Sequence, residues 1–532
     1  MLGKIKLVKT KACAIIGHDW HAGILPYVFL VGAVLVVYSN IYGNDFLYDD
    51  ESLIVHNQFL RSWHYLPTLF FTSLDAGNNL ASAYYRPLQT LFYMIVFQIT
   101  GLSLFAFHFL NVFLHALNAC LVYKLGRKLN FKPLAVFLAS FLWAVHPVHT
   151  EAVTYMSDTS DVLYSFISLL GVITLFPDFS SRRIWSVVPL MVVALLSKES
   201  AISFPLLAMS CFYFLNDNRF DLKIYFRFWP LILTAIIHTF LHFYSFPGGI
   251  AHAPSGDASY ATNFAALSTL PNYVRFMLFP THLHMGRGLP AYTSIWRTDI
   301  LAGIGLVIGA IIQIQRDNPG RSLPFSWALC WFAAALAPSF FVAAIYYEHW
   351  MYLPSAGLFL GTAQSIELFL GQSSFVGRIW RRSGLIALCL AIWAACLLTY
   401  QQNRIWQDAY ILYANIFAQG EKAERAHVNL GVLYVQQGEY DKAVEQYRIA
   451  VENSSDTLAA AQSNWAAALF DEPGHESHNE EILKHYMRAL EIDPNFYPAL
   501  YGLAQFYDQQ GDKEKAGVYR SHADEIRKKF QT

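Results

Sequence analysis

The chain has little charge and few cysteines for its length, and both shortages limit its class. Of 532 residues, 14% are charged and 55% are hydrophobic, whereas a soluble domain has about 25% charged residues. Five of the six cysteines lie in apolar segments, which excludes a disulfide or zinc framework. The net charge of −1 gives no indication of a nucleic-acid partner. These numbers predict a membrane protein.

Motifs of nucleotide-driven chemistry are also missing from the sequence. It contains no GxxxxGK[ST] and no GxGxxG after a predicted strand, so kinase chemistry and nucleotide-driven transport have no support. No recognisable Ser/His/Asp motif indicates a nucleophilic hydrolase. Any chemistry must therefore come from the few charged residues in or beside the apolar segments.

The composition changes near residue 400, and this predicts two domains. Residues 1–400 form a series of apolar stretches, whereas 401–532 are polar and rich in Glu, Lys, Gln, Tyr and Ala. About 20 apolar residues span a bilayer, and lysines before the first stretch predict a cytoplasmic N-terminus. We expect about eleven spans, near 24–42, 104–124, 133–147, 161–177, 184–197, 200–215, 226–246, 298–315, 324–345, 350–370 and 383–400.

This topology predicts which segments share the outer face. Residues 264–284 are apolar but contain two prolines, so we interpret them as re-entrant or interfacial. The C-terminal domain then lies outside the membrane, either in the periplasm of a bacterial inner membrane or in the lumen of the endoplasmic reticulum. The loops on the same outer face are 43–103, 148–160, 198–199, 247–297 and 346–349.

The polar C-terminal domain contains a repeat. "NLGVLYVQQGEYDKAVEQYRIA" (429–450) and "YGLAQFYDQQGDKEKAGVYRSHA" (501–523) share one frame with "EEILKHYMRALEIDPN" (480–495). The spacing of small and large residues is that of tetratricopeptide repeats, which stack helix pairs. We predict a groove for an acceptor polypeptide, with a rigid spacer as the alternative, and a helix over 404–420 joining the array to the last span. The candidate acceptor-binding residues are Asn429, Tyr434, Asn464 and Tyr507.

Charged and polar residues concentrate at the outer ends of the predicted spans. An ionisable group at bilayer depth costs several kcal/mol unless it is paired or hydrated, so such residues are candidates for function. They fall in six short motifs that the topology places on one face. The motifs contain Asp49, Asp50 and Glu51; Arg86; His108, Asn111 and His115; His146, His149, Glu151, Asp158 and Asp161; Lys198 and Glu199; and Glu348, His349 and Tyr352.

Each motif also has a plain structural interpretation. His108, Asn111 and His115 lie on one helix face and would serve as interhelical hydrogen-bonding groups. The histidines of "HPVHTE" resemble metal ligands but lack the HExxH arrangement. Lys198 and Glu199 suit a neutralising pair. Arg86 suits a headgroup anchor, and the acidic run suits a solvated loop. Together, however, the motifs suit a substrate with a phosphate and a group to be deprotonated.

Six stretches carry a family resemblance: "FLYDDESLIVHN", "YYRPL", "FHFLNVFLH", "AVHPVHTEAV", "LLSKES" and "YLPS". With the repeats, they resemble the transmembrane and tetratricopeptide-repeat-containing O-mannosyltransferases, and more broadly the GT-C class of glycosyltransferases. The resemblance implies an all-α, multi-span fold and a polyprenyl-phosphate-linked sugar donor. It also implies a protein Ser or Thr hydroxyl as acceptor. Two stretches depart from the family pattern: "SDTSDVL" stands for Gly-Arg-Ala-Glu-Leu, and "EHW" (348–350) stands for Glu-Arg-Tyr.

The resemblance assigns the acidic motif at the reaction centre to Asp49 and Asp50. One of them would accept the acceptor proton in an inverting transfer. Arg86 and Lys198, with His146, His149, Glu151 and Glu199, would bind the donor phosphate and sugar. No cofactor is required, although a divalent cation on the two aspartates is possible. The alternatives are transfer to a lipid or polysaccharide, and a non-enzymatic, membrane-anchored repeat scaffold.

Overall fold

The structure is a computed structural model, and the chain in it divides into two compact units. Unit one comprises Met1–Gly77 with Ser82–Gln407, and unit two comprises Asn78–Ala81 with Asp408–Thr532. The described residues are 23–78, 82, 84–216, 221–245, 261–288, 296–316, 325–341, 345–370, 375–419, 423–454 and 458–531.

Unit one is built from helices, as the sequence predicts. In its described part, the strands are a two-residue antiparallel pair, β1 (Arg287–Gly288) and β2 (Ile345–Tyr346). The α-helices are α1 Leu25–Val37, α2 Pro87–Thr100, α3 Leu104–Lys128, α4 Pro133–Ala144, α5 Thr150–Thr154, α6 Thr159–Leu175, α7 Ser181–Leu195, α8 Phe204–Leu215, α9 Trp229–Ser245, α10 Ala261–Leu278, α11 Thr298–Arg316, α12 Phe325–Leu336, α13 Tyr352–Leu370 and α14 Phe375–Gln402.

Several apolar segments are long enough to cross a membrane. Among the described residues, five qualify by length and composition, and six if two helices bent by 51° after Ala144 form one span. Shorter apolar helices accompany them, among them α1 and α2. These helices support an integral membrane protein, while the number of crossings and the interfacial position of 264–284 stay predictions. The five are 104–128, 156–175, 222–245, 298–316 and 379–406.

The core of unit one forms around α3. This helix packs against α1, α4 and α6, and its start is fixed by the Ser103 side chain, which accepts a hydrogen bond from the Ala106 N–H. Fully buried apolar side chains from most helices of the unit meet in one cluster. Burial of this kind supplies the main favourable free energy inside a helical bundle. Representative members are Leu30, Val112, Trp143, Val172 and Leu360.

The long loop after α1 is ordered by a second core. It contains a π-helical turn, Glu51–Val55, and short 3₁₀ turns between Gln58 and Asn78. Leu53 and Leu60 of this loop pack with Tyr93 of α2, Phe107 of α3 and Met156. The loop is therefore anchored to the helices beneath it, which holds the acidic run at its start in a defined place.

Unit two contains the predicted repeats. Its helices are α15 Ala409–Ala418, α16 Glu424–Gln436, α17 Tyr440–Asn453, α18 Ala459–Asp471, α19 Asn479–Ile492, α20 Tyr497–Gln509 and α21 Lys513–Gln531. The last six form three antiparallel pairs, which confirms the repeat frame. The predicted joining helix over 404–420 is wrong at its start. A 3₁₀ turn ends at Trp406, and Asp408 caps a new helix by accepting a hydrogen bond from the Ile411 N–H.

Glycines allow close helix contact inside the array. A Cβ on Gly431 would lie 2.5 Å from the Tyr447 ring, and one on Gly502 would lie 2.4 Å from the Tyr486 ring. Contacts this short are not tolerated by real side chains. The small residues of the repeat frame are therefore required by packing against the large ones.

Candidate active site

The two aspartates of the acidic loop occupy different environments. Tyr48 adopts a left-handed conformation, with φ of +54°, and turns the chain just before them. Asp49 is exposed, and its backbone N–H donates to the Tyr155 hydroxyl at 2.9 Å. Asp50 is 1% exposed. One of its carboxylate oxygens accepts the Leu47 N–H at 2.9 Å, and the other is bonded by the Ser157 hydroxyl.

Burial dominates the acid–base character of Asp50. Loss of solvent raises the pKa of its carboxyl to about 8, and the hydrogen bonds from Ser157 and Leu47 only partly oppose this rise. Asp50 is then mainly a neutral carboxylic acid near pH 7. Its two bonded oxygens hold the loop, whereas Asp49 lies at the exposed surface of the loop.

One short segment, Ser157–Asp161, contacts one residue from each of the other five predicted motifs; we call it the SDTSD segment. Its residues point in turn to different partners. Each side chain of the segment therefore fixes a separate group, and the segment lies at the centre of the candidate site. The contacts are Ser157 with Asp50, Asp158 with His349, Thr159 with Asn111, Ser160 with Arg86, and Asp161 with Lys198.

The two candidate phosphate-binding cations are both paired with carboxylates. Arg86 binds Glu199 through Nε, at 3.1 and 3.2 Å, and through Nη2 at 3.0 Å. Burial tends to raise the pKa of Glu199, but Arg86 outweighs this and lowers it. Lys198 pairs with Asp161, and both side chains are almost fully buried. The predicted pair of Lys198 with Glu199 is therefore wrong in its partners, because Lys198 pairs with Asp161 and Glu199 pairs with Arg86.

A third charged group joins two carboxylates to one imidazole. His349 Nδ1 lies 3.1 Å from an Asp158 oxygen and 3.2 Å from a Glu151 oxygen. The second Glu151 oxygen accepts a hydrogen bond from the backbone N–H of His349 at 2.9 Å. Burial lowers the pKa of His349, but Asp158 and Glu151 together raise it to about 10. The neighbouring Glu348 forms its own buried ion pair with Arg287 at 2.7 Å.

The polar residues of α3 are hydrogen-bonded inside the bundle. His108 Nε2 lies 3.1 Å from the Asn44 carbonyl, and the Asn111 amide donates to the Tyr155 carbonyl at 3.1 Å. His115 Nε2 lies 2.8 Å from the Ala144 carbonyl, which can only accept, so Nδ1 accepts from the Tyr352 hydroxyl at 2.6 Å. The interhelical interpretation fits His115, and it fits Asn111 through the Thr159 hydroxyl of α6. His108 instead bonds to Asn44 in the loop after α1.

The histidines of "HPVHTE" lie apart from this charged set. His146 Nδ1 accepts the Val148 N–H at 3.3 Å, which caps a short turn. His149 is fully buried among aromatic rings, 4.8 Å from Trp143 and 5.1 Å from Tyr352 between ring centroids. In the described part of the chain, the residues that converge as a metal-ligand set are Glu151, Asp158 and His349. Neither histidine of the motif nor the aspartate pair belongs to that set.

The sequence predicts no specific role for some residues of the site. For Asp158 and Asp161, the signal is their acidity within the stretch that begins at His146. Ser157 and Ser160 have no signal beyond that position. Arg287 lies in a segment without a motif, and its pairing with Glu348 depends on the β1–β2 contact.

An apolar cavity of about 500 Å³ is lined by residues close in sequence to the ion pair of Arg86 and Glu199. Tyr85 and Leu196 line it and adjoin Arg86 and the Ser197–Glu199 turn in sequence. Further lining residues are mainly apolar, with two histidines of α9 among them. They include Phe70, Phe71, Val192, Ile237, His238 and His242.

The candidate acceptor-binding residues of the repeats are partly buried. Lys442 Nζ lies 5.4 Å from the Tyr434 ring centroid, and Lys515 Nζ lies 5.1 Å from that of Tyr507. The same lysine–tyrosine contact recurs in two repeats of unit two because the spacing of residues in the repeat recurs. Asn429 lies in α16 and Asn464 in α18, and their role toward an acceptor stays a prediction.

Comparison with known proteins supports the repeats and the family resemblance. The tetratricopeptide repeat model matches residues 424–457 and 485–517. A protein O-mannosyl-transferase from Caenorhabditis elegans is 25% identical over 81% of this chain and 63% of its own length. Protein O-mannosyl-transferase TMTC3 of Homo sapiens is 25% identical over 88% of this chain and 55% of its own length. This chain thus spans less than two thirds of either relative. These matches confirm the resemblance.

One solved structure aligns with much of the chain at a low score. It is ArnT from Cupriavidus metallidurans bound to undecaprenyl phosphate, at a TM-score of 0.41 and 14% identity. The alignment covers 90% of this chain and 80% of that one.

Proposed function

We propose that this chain, a relative of the transmembrane and tetratricopeptide-repeat-containing O-mannosyltransferases, is a membrane glycosyltransferase. It moves a sugar, mannose or a similar hexose, from a polyprenyl-phosphate donor to Ser or Thr hydroxyls of a protein on the outer or lumenal face. One observation carries the proposal. The SDTSD segment contacts the acidic loop on one side and both candidate cations, Arg86 and Lys198, on the other.

Asp49 is the proposed general base. A base must reach the acceptor hydroxyl, and Asp49 is exposed whereas Asp50 is buried. Asp50 has both oxygens engaged and a pKa of about 8. It is therefore a positioning residue that keeps the loop in place through Ser157 and Leu47.

The donor phosphate is assigned to Arg86. Three of its contacts go to Glu199, but Nη1 lies 3.4 Å from the Ser160 hydroxyl, a long contact that a phosphate oxygen can replace. The charge of Lys198 is compensated by Asp161 in their buried pair, so Lys198 is proposed to hold the SDTSD segment in place rather than to bind the phosphate. The apolar cavity beside Tyr85 and Leu196 suits the first isoprene units of the lipid.

The proposed reaction is a single displacement with inversion. The acceptor oxygen forms a bond to the anomeric carbon while its proton passes to the Asp49 carboxylate. The bond from the anomeric carbon to the donor phosphate breaks, and its electron pair stays on the phosphate oxygen. A lipid phosphate is a stable leaving group, so hydrogen bonds and charge from the Arg86 guanidinium replace a general acid.

The test is transfer of radiolabelled sugar by the purified full chain in lipid nanodiscs, with a polyprenyl-phosphate sugar and acceptor peptides. Asp49→Asn removes the base, and we expect a loss of about 10²–10⁴-fold in rate, the usual range for general base catalysis. Glu51→Gln is the matched control, because Glu51 is an adjacent exposed carboxylate that pairs with His56 at 3.3 Å. The control should retain its rate.

Two outcomes overturn parts of the proposal. Full activity of Asp49→Asn removes Asp49 from the mechanism. Label that appears in lipid or polysaccharide, with none in peptide, replaces the protein acceptor by the alternative acceptor. Absence of transfer to any acceptor, together with function retained when a plain anchor replaces the spans, supports the scaffold instead.

A further inference from the structure

The strongest feature outside the proposed transfer step is the set of Glu151, Asp158 and His349. Their ligand atoms, Glu151 Oε1, Asp158 Oδ2 and His349 Nδ1, all lie within 4.8 Å of one another. The residues come from α5, the SDTSD segment and the turn before α13. Two residues close together in the sequence, Glu151 and Asp158, and one distant residue, His349, therefore present one donor atom each to a common point.

These atoms face each other without a normal hydrogen bond. In the described part of the structure, none of the three has a hydrogen-bond partner, although each is buried. Glu151 is 1% exposed, and its other oxygen is already occupied by the His349 N–H. The distances of 3.1 and 3.2 Å from Nδ1 exceed the 2.7–2.9 Å or so of a charge-assisted bond. They lie close to the ~3.3 Å between neighbouring ligands of a tetrahedral zinc ion.

The charge count points the same way. Two carboxylates and one imidazolium carry a net charge of −1 in a buried site. The neighbouring charged groups do not neutralise this net charge, because they neutralise each other: Asp161 pairs with Lys198, and Glu348 pairs with Arg287. Buried charges are normally paired or bound to a metal. A divalent ion with neutral His349 brings the set to zero net charge.

We propose that Glu151, Asp158 and His349 bind one divalent transition-metal ion, with Zn²⁺ as the preferred occupant. Imidazole and carboxylate oxygen are ordinary zinc ligands, and three protein ligands leave a coordination position open. Zinc binds such sites more tightly than Mn²⁺. The ion ties the SDTSD segment to the turn before α13, so it is a positioning element. This inference does not depend on the transfer reaction.

Metal content is measured on the full chain, purified in detergent through a tag without histidines, dialysed against EDTA and reloaded with Zn²⁺. We expect about one zinc per chain by elemental analysis, and a loss of about ten-fold or more in affinity for Asp158→Asn and for His349→Gln. The matched controls are Asp178→Asn and His64→Gln, whose side chains lie in other parts of unit one. Both controls should bind zinc as the wild type does.

A second, spectroscopic measurement on the wild type keeps the test valid even if the variants fail to fold. Co²⁺ loaded into the wild type should give a visible absorption band typical of a four-coordinate site, and Zn²⁺ should displace it. Wild-type protein that binds less than about a tenth of an equivalent of either ion overturns the proposal. Unchanged zinc affinity in folded Asp158→Asn and His349→Gln does so too. Either result leaves the proposed transfer reaction untouched, because activity is not the readout.

Discussion

The buried Asp50 carboxyl should make stability depend on pH, and Asp50→Asn should remove that dependence. Asp50 is 1% exposed, and burial raises its pKa from 3.8 to about 8. The folded chain therefore holds a proton that the unfolded chain releases above about pH 4. The stabilising protonated state is complete below the unfolded pKa, and its contribution is lost as the pH rises toward the folded pKa.

The size of the stability change follows from the difference between the folded and unfolded pKa values of Asp50. Each pKa unit corresponds to ~1.4 kcal/mol, so the wild type should lose on the order of 4 kcal/mol between about pH 5 and pH 9. Most of this loss falls below pH 8. The side-chain amide of the Asp50→Asn variant cannot ionise but keeps one acceptor and one donor, so it should reproduce the bonds to Leu47 and Ser157. The variant should therefore lose less stability as the pH rises.

The assay is thermal unfolding of the detergent-solubilised full chain, followed by intrinsic fluorescence in steps over that pH range. The difference in Tm between Asp50→Asn and wild type should grow by on the order of 5–10 °C from the acidic to the alkaline end. Other titrating groups contribute equally to both proteins and cancel in the difference. A constant difference across the range refutes the reasoning, because it means that Asp50 titrates alike in both states.

Two further predictions concern packing and charge. Lys198→Met leaves the Asp161 carboxylate buried without its partner, which should cost about 3–5 kcal/mol. Thermal unfolding measures this loss of stability. The double variant with Asp161→Asn should regain much of it. Equal Tm values for Lys198→Met and the wild type contradict the pairing. Gly431→Ala places a Cβ 2.5 Å from Tyr447 and should destabilise the repeats by about 1–3 kcal/mol, detected by hydrogen exchange. Gly517→Ala, with no atom within 4 Å of the added Cβ, is the control and should be neutral or stabilising; similar exchange in both variants argues against the tight contact.

The features predictable from the sequence are those with a local period or a fixed spacing. The tetratricopeptide frame repeats small and large residues, so the helix pairs of unit two follow directly. Continuous apolar runs are also local signals, and they predict helices such as α3 and α9. The spacing of His108, Asn111 and His115 places them on one helix face, which the bundle buries. It predicts the bonds of Asn111 and His115 to other helices but not the bond of His108 to a loop.

The site is less predictable because its contacts join distant parts of the chain. Asp161 and Lys198 are 37 residues apart, and Asp158 meets a histidine far along the chain, in the turn before α13. The neighbouring Asp49 and Asp50 look equivalent in sequence. Their different exposure depends on the left-handed turn at Tyr48 and on Ser157, which no local pattern encodes. The two stretches that depart from the family pattern, "SDTSDVL" and "EHW", meet in space through Asp158 and His349.

The SDTSD segment has a consequence for how this chain tolerates change. Its five consecutive side chains have separate partners, so a substitution at one position disturbs one contact and leaves its neighbours in place. Insertion or deletion of a single residue would instead shift every following side chain toward the wrong partner. We therefore expect that variation in this segment is tolerated in residue type but not in length, and that each exchange is accompanied by a change in the partner it contacts.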